Sequence, residues 1–210
     1  MTQKRMKVKY PRTPHLPWSP GNTSDDVLLI NTEHLEAQQV IVTEKMDGEC
    51  SSLYKDYFHA RSIDGNSHPS QSWLKQFHAG IKHDIPEGWR ICGENLYAKH
   101  SIHYDNLESY FMGFSIWDRH NACLSWEETL EWFDILDIAS PPILYSGIWN
   151  EKIIKSIKLD LHKQEGYVIR LASSFPYSRF GQSVAKWVRA NHVQTDDHWA
   201  HQSITINKLQ

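Results

Sequence analysis

Cysteine is scarce in this chain, and what there is comes in an odd number. Cys50, Cys92 and Cys123 show no CxxC spacing, which argues against a disulfide framework and against a zinc site built from cysteines. Long apolar runs are missing as well. No stretch approaches the roughly 20 apolar residues that a membrane span needs, and Met1-Thr2-Gln3-Lys4-Arg5 leads into nothing of signal-peptide character. The expectation is a cytoplasmic protein with reduced, structural thiols and no membrane partner. No repeat or low-complexity tract interrupts the sequence.

What is present suits one catalytic domain: 210 residues, of which 40% are hydrophobic, suffice to fill a core. The net charge of -3 argues against a nucleic-acid partner until the charges are located. Lys4, Arg5, Lys7, Lys9 and Arg12 give the first twelve residues +5 without one acid, leaving the rest at -8. A basic arm on an acidic body reads as a phosphate-contacting element, with Lys9 and Arg12 as nucleic-acid contacts, or as a solubilising edge. Pro11, Pro14, Pro17, Pro20 and Gly21 then mark a stiff extended loop outside the core. The expected layout is a single domain over 1–210: arm and proline-rich loop to 38, catalytic core 39–190, and a tail 191–210.

Strand and helix signals alternate, the texture of an α+β domain. Val40 to Glu44 reads as a buried strand delivering Lys45 at its end, and Asp47-Gly48 is a turn signal. Ser51–Lys55, Phe58–Ser62, Trp89–Glu94, Tyr110–Trp117, Gly166–Leu171 and Val184–Val188 are predicted strands. Trp73, Phe77 and Ile81 predict an amphipathic helix from near Ser70. Ser125 and Glu128 form a capping-box signature, with Leu130, Phe133 and Leu136 as the buried stripe behind it; a further helix is predicted over Glu151–Leu161.

Lys45-Met46-Asp47-Gly48 holds a lysine at a strand end while the glycine admits close approach of another backbone or a phosphate. Alone, such a pattern is most often a surface lysine before a hairpin turn. Four further segments follow it in order: Arg61-Ser62, Gly93-Glu94, Glu165-Gly166-Tyr167-Val168-Ile169, and Lys186 with Arg189. Over residues 39–190 this ordered set resembles the covalent nucleotidyltransferase superfamily of DNA ligases, RNA ligases and mRNA capping enzymes. Cys50 stands where DNA ligases and capping enzymes typically carry arginine, so the set looks most like ATP-dependent RNA ligases. Lys9-Tyr10-Pro11-Arg12-Thr13-Pro14-His15-Leu16 and Lys186-Trp187-Val188-Arg189 are similar to a bacterial and phage subgroup.

The resemblance implies a nucleotidyltransferase fold, with antiparallel sheets forming an ATP cleft and helices packed outside. It implies that Lys45 attacks ATP to carry AMP as a phosphoamide, passes it to an RNA 5′-phosphate, and that a 3′-hydroxyl displaces it. Nicked duplex is one form such ends could take. Glu44 would contact adenine, with Asp47 and Gly48 completing the nucleotide loop; Arg61 and Glu94 would hold the ribose; Phe114 would stack on the base. Glu165 would support a magnesium or manganese ion or the lysine, and Lys186 and Arg189 would grip the phosphates. Phe114 could equally be core, and Arg61 and Arg189 ordinary ion-pair partners. A free lysine has a pKa near 10.4, so about one in a thousand is neutral near pH 7.4. Burial and the cations Lys186, Arg189 and a divalent metal are expected to lower it.

His192, His198 and His201 cluster near the end of the chain. Their spacing matches no standard zinc pattern, and His198-Trp199 suits a terminal helix packed on the body. After Lys186 only 24 residues remain, too few for the extra domain with which many ligases clamp their substrates, so an OB or other second domain is not expected. A protein partner could then position the ends. The rival readings are a DNA ligase, a GTP-using capping-type enzyme, or a non-catalytic nucleic-acid-binding module with the same fold.

Overall fold

The computed structural model describes residues 7–63, 68–190 and 204–210. Lys4, Arg5, His192, His198, Trp199 and His201 therefore lie outside the described residues. Two antiparallel sheets make up the body. The first takes its four strands in the order β10 (Val184–Val188), β8 (Gly166–Leu171), β1 (Gln39–Lys45), β7 (Ile143–Ile148). The second has six, in the order β3 (Phe58–Ala60), β2 (Glu49–Leu53), β4 (Arg90–Asn95), β5 (Phe111–Trp117), β6 (Ala122–Cys123), β9 (Phe175–Pro176).

β1 and β2 are consecutive in the chain yet lie in different sheets, so Met46–Gly48 is a crossing and not the hairpin turn that Asp47-Gly48 suggests. A Cβ on Gly48 would overlap the Asn95 carbonyl oxygen. The glycine is needed because the crossing passes directly against β4.

Helices α1 (Ser72–Ile81) and α2 (Trp126–Ile135) cover the outer face of the six-stranded sheet. Leu53, Leu74, Ile85, Ile91, Phe111, Ile116 and Phe133 form the core between them. The Trp73, Phe77 and Ile81 stripe packs on this core from its border, while Leu74 and His78 are the buried positions of α1. In α2 the capping box is realised: the Glu128 N–H donates to Ser125 Oγ at 3.2 Å, and the Ser125 N–H donates to Glu128 Oε2 at 3.0 Å. Its buried stripe is Trp126, Thr129 and Phe133, continued by Leu136, whereas Leu130 is 36% exposed. Trp126, at the start of the helix, lines the cleft between the sheets.

The helix predicted over 151–161 stops after one turn as α3 (Glu151–Lys155), capped by Asn150. Only Ile154 of that segment is fully buried, too little to hold a longer helix. Strand β7 has no counterpart in the predicted elements. It is an edge strand in which no residue is fully buried and Ile143, Ser146 and Ile148 are exposed, so it lacks the apolar run of the buried strands.

The proline-rich loop is a core element and not a surface connection. Leu16 is wholly buried beside Val40, Val42, Tyr167, Ile169 and Ala185. The Leu16 N–H donates to the Lys186 carbonyl at 2.8 Å, and the Lys186 N–H to the Pro14 carbonyl at 2.9 Å. The loop thus satisfies the free edge of β10, which a bare edge strand would leave unpaired. At the other end of the chain Asn207 is buried, its side chain accepting the Tyr104 N–H at 3.0 Å and donating to the Leu96 carbonyl at 2.8 Å.

Candidate active site

A cleft of about 620 Å³ opens between the sheets, lined among others by Glu44, Lys45, Gly48, Arg61, Glu94, Phe114, Val168 and Lys186. The register explains the convergence. Lys45 pairs with Gly166 at the end of β1, so Glu165 lies one residue beyond, and Lys186 on β10 pairs with Val168 on β8. Glu94 pairs with Cys50 on the facing sheet, where β4 runs beside β2.

The Lys45 ammonium donates to Glu165 Oε2 at 2.5 Å, with Lys45 24% exposed and Glu165 6%. Glu94 accepts the Gly48 N–H at 3.2 Å through Oε1. Burial works to lower the Lys45 pKa, but Glu165, Glu94 and Asp47 outweigh it and hold the ammonium above its ordinary range. The expected depression by burial and neighbouring cations is therefore reversed, because the carboxylates of Glu165, Glu94 and Asp47 act on the lysine together. The cost falls on Glu94, whose carboxyl is pushed up to about 8 by burial and by Glu165 and Asp47, against the pull of Lys45. Lys186 is lowered, first by burial and then by Lys45.

The remaining predicted residues divide. Arg61 lines the cleft, and its buried Nε has no hydrogen-bond partner among the described residues. Phe114 lines it too, with the Tyr10 ring edge-on at 5.2 Å. Arg12 is exposed at the rim and donates to the Asp25 carbonyl at 2.7 Å; Lys9 is exposed away from it, its carbonyl accepting from Tyr177.

Two residues are not brought to the cleft wall. The Asp47 carboxylate accepts from Ser101 N–H, Ser101 Oγ and Ile102 N–H at 2.7–2.8 Å, so it anchors the crossing. Arg189 is buried behind the site, its N–H donating to the Glu165 carbonyl at 3.0 Å.

Sequence reasoning missed several residues. Asp26, from the proline-rich loop, reaches Lys186 at 3.7 Å and His15 at 3.5 Å. Gln164 donates to Glu44 Oε2 at 2.6 Å. Arg170 lies across the floor and donates to the Leu124 carbonyl at 2.6 Å and to the Leu171 carbonyl at 3.1 Å. Only Gln164 carried a signal, its place immediately before Glu165.

A sequence model of the RNA ligase family matches residues 38–188. Among curated proteins no sequence matches the chain. Among solved structures the chain is similar to Naegleria gruberi RNA ligase with PPi, at 20% identity and a TM-score of 0.56, over 75% of this chain and 51% of that one. It is similar to a mutant of that enzyme with ATP and Mn, at 17% identity and a TM-score of 0.55, over 80% and 55%. A mutant with AMP and Mn gives 19% and 0.54, over 80% and 55%. At such identities the likeness concerns the fold, and the chain spans about half the length of these structures. The ordered motifs, the two-sheet cleft that gathers them and the family match over 38–188 together mean that this chain belongs to the RNA ligase family.

Proposed function

We propose that the protein is an ATP-dependent RNA ligase that joins 5′-phosphate and 3′-hydroxyl ends, as in a nicked duplex, through AMP carried on Lys45. The observation that carries this reading is the Lys45–Glu165 contact at the cleft, with Glu94 and Lys186 around it. Glu165 is within reach to take the proton that the ammonium must lose. The freed amine then bonds to the α-phosphorus while the bond to the pyrophosphate oxygen breaks, and Lys186 neutralises charge on the phosphoryl oxygens. Phe114 and Val168 offer the base an apolar slot, and the unpartnered Arg61 Nε a donor for the ribose.

Among the described residues no group of three or more His, Cys, Asp or Glu could hold a metal. Glu165 and Glu94 are nonetheless hard oxygen donors of the kind magnesium or manganese uses when phosphates and water complete its shell. Bound there, the ion would neutralise phosphate charge and weaken the carboxylate hold on Lys45. Among the described residues no helix is long and apolar enough to cross a membrane. Arg12 at the rim, with Lys9 farther out, is suited to phosphates of the nucleic acid; a partner protein could supply further grip.

Incubation with ATP labelled at the α-phosphate and magnesium should leave label on the denatured protein, and Lys45→Ala should abolish it. No adduct in the wild type would refute the reading, and preferential labelling by GTP would turn it toward a capping-type reaction. Sealing of nicked RNA, DNA and hybrid duplexes then reads the substrate.

A further inference from the structure

Glu44 presents a problem that the reading above leaves open. It lines the cleft, is 9% exposed, and carries a charge that would repel a triphosphate. A carboxylate in that position can serve a nucleotide only where the nucleotide donates: at a ribose hydroxyl or at an amine of the base. Arg61 already offers the ribose a donor in the proposed assignment.

Gln164 determines which way Glu44 works. Its Nε2 donates to Glu44 Oε2 at 2.6 Å, and its Oε1 accepts the Asp160 N–H at 2.9 Å. Because a backbone N–H can only donate, the amide oxygen must face Asp160 and the amide nitrogen must face Glu44. The Asp160–Gln164 turn is closed on itself by the Gln164 and Lys163 N–H groups donating to the Asp160 carbonyl at 2.8 and 2.9 Å. Glu44 is held from its own side by its N–H donating to the Pro142 carbonyl at 2.8 Å. One carboxylate oxygen is therefore committed to Gln164.

We propose that Gln164 is the positioning residue for nucleobase selection: it fixes Glu44 as an acceptor so that the second oxygen receives the exocyclic amine of adenine. The inference rests on the adenylylation reading above. Burial pushes the Glu44 carboxyl up and the Gln164 hydrogen bond holds it down. Without that bond Glu44 turns freely and takes up a proton more readily, and a protonated carboxyl can donate to the oxygen that guanine carries in place of the amine. Gln164 is absent from the cleft wall, so its effect is exerted through Glu44.

The test compares α-labelled ATP, α-labelled GTP and the α-labelled triphosphate of purine riboside, which keeps the ribose but lacks the amine. Covalent labelling rates are measured on the wild type, Gln164→Met and Gln164→Glu. The wild type should label with ATP at least ~10-fold faster than with the amine-free analogue, as expected for a hydrogen bond to a charged group. In Gln164→Met that ratio should fall to within about threefold, and GTP should gain relative to ATP. Gln164→Glu keeps the acceptor for Asp160 but loses the donor, so it should show the same collapse and covers a failure of the methionine variant to fold.

A fall in labelling that leaves the ratio unchanged in the variants would show a merely structural glutamine and overturn the proposal. Equal labelling of the wild type by ATP and the analogue would overturn it by removing amine reading altogether. Absence of label from every nucleotide would instead defeat the adenylylation reading on which it stands.

Discussion

Replacing Glu94 by glutamine should make the protein more stable and less capable. The folded Glu94 carboxyl is pushed up to about 8, from an ordinary 4.5. Between those values the unfolded chain releases a proton that the folded protein keeps. The stability associated with Glu94 is therefore complete below about pH 4.5, falls as pH rises, and is gone above about 8. At ~1.4 kcal/mol for each of about 3.5 pH units, the loss is bounded at ~5 kcal/mol. Residue 94 is half-buried rather than sealed, and Lys45 and the neighbouring carboxylates respond together to its charge, so the expected difference is ~1–2 kcal/mol. Glutamine stays neutral, fills the same space and still accepts the Gly48 N–H. Urea unfolding of both proteins should give equal stabilities near pH 4.5 and a gap of ~1–2 kcal/mol in favour of the variant at pH 8.5. A gap that does not grow with pH, or a wild type that gains on the variant between pH 5 and 8, would refute the reasoning. The same substitution should slow labelling by ATP at least ~10-fold, since the carboxylate lost is one of the groups facing Lys45.

Asn207→Ala removes two buried side-chain hydrogen bonds around Tyr104, whose hydroxyl accepts the Asp47 N–H at 2.9 Å. It should cost ~2–3 kcal/mol in chemical denaturation, and should slow adenylylation without raising the KM for ATP, because it loosens the Lys45 crossing from behind. Gly166→Ala places a Cβ onto the Trp187 carbonyl oxygen, between β8, which Glu165 immediately precedes, and β10, which carries Lys186. Thermal unfolding should show a loss of more than ~3 kcal/mol, and a fully stable variant would contradict the close β8–β10 approach. Lys45→Ala, beyond abolishing the adduct, leaves Glu165 buried without its partner. That protein should lose stability more at pH 8 than at pH 5, as read by its thermal midpoint.

The strands that carry chemistry are legible in the sequence because each apolar run has a charged residue at or just beside it: Val40 to Lys45, Gly166 to Leu171 and Val184 to Val188 all form within a residue or two of prediction. So is the capping box of Ser125 and Glu128, a purely local device. Leu130 falls on the exposed side of its helix because helical spacing alone does not specify which side a neighbouring sheet covers. The five-residue α3 and the edge strand β7 likewise depend on how much surface the rest of the fold offers them.

By itself, the sequence determined the ordered set of Lys45, Arg61, Glu94, Glu165 and Lys186 and the strands that carry or adjoin them, since residue type and hydrophobic period are local properties. Only the tertiary structure decided that Met46–Gly48 crosses between two sheets, that Pro14 and Leu16 of a proline-rich loop close the edge at Lys186 while Asp26 reaches its ammonium, and that Gln164 donates to Glu44. The charge state of Lys45 belongs to the same group. Its ammonium is held protonated by carboxylates from positions 94 and 165 in the chain, and no local pattern reveals that a fold will set them around one amine.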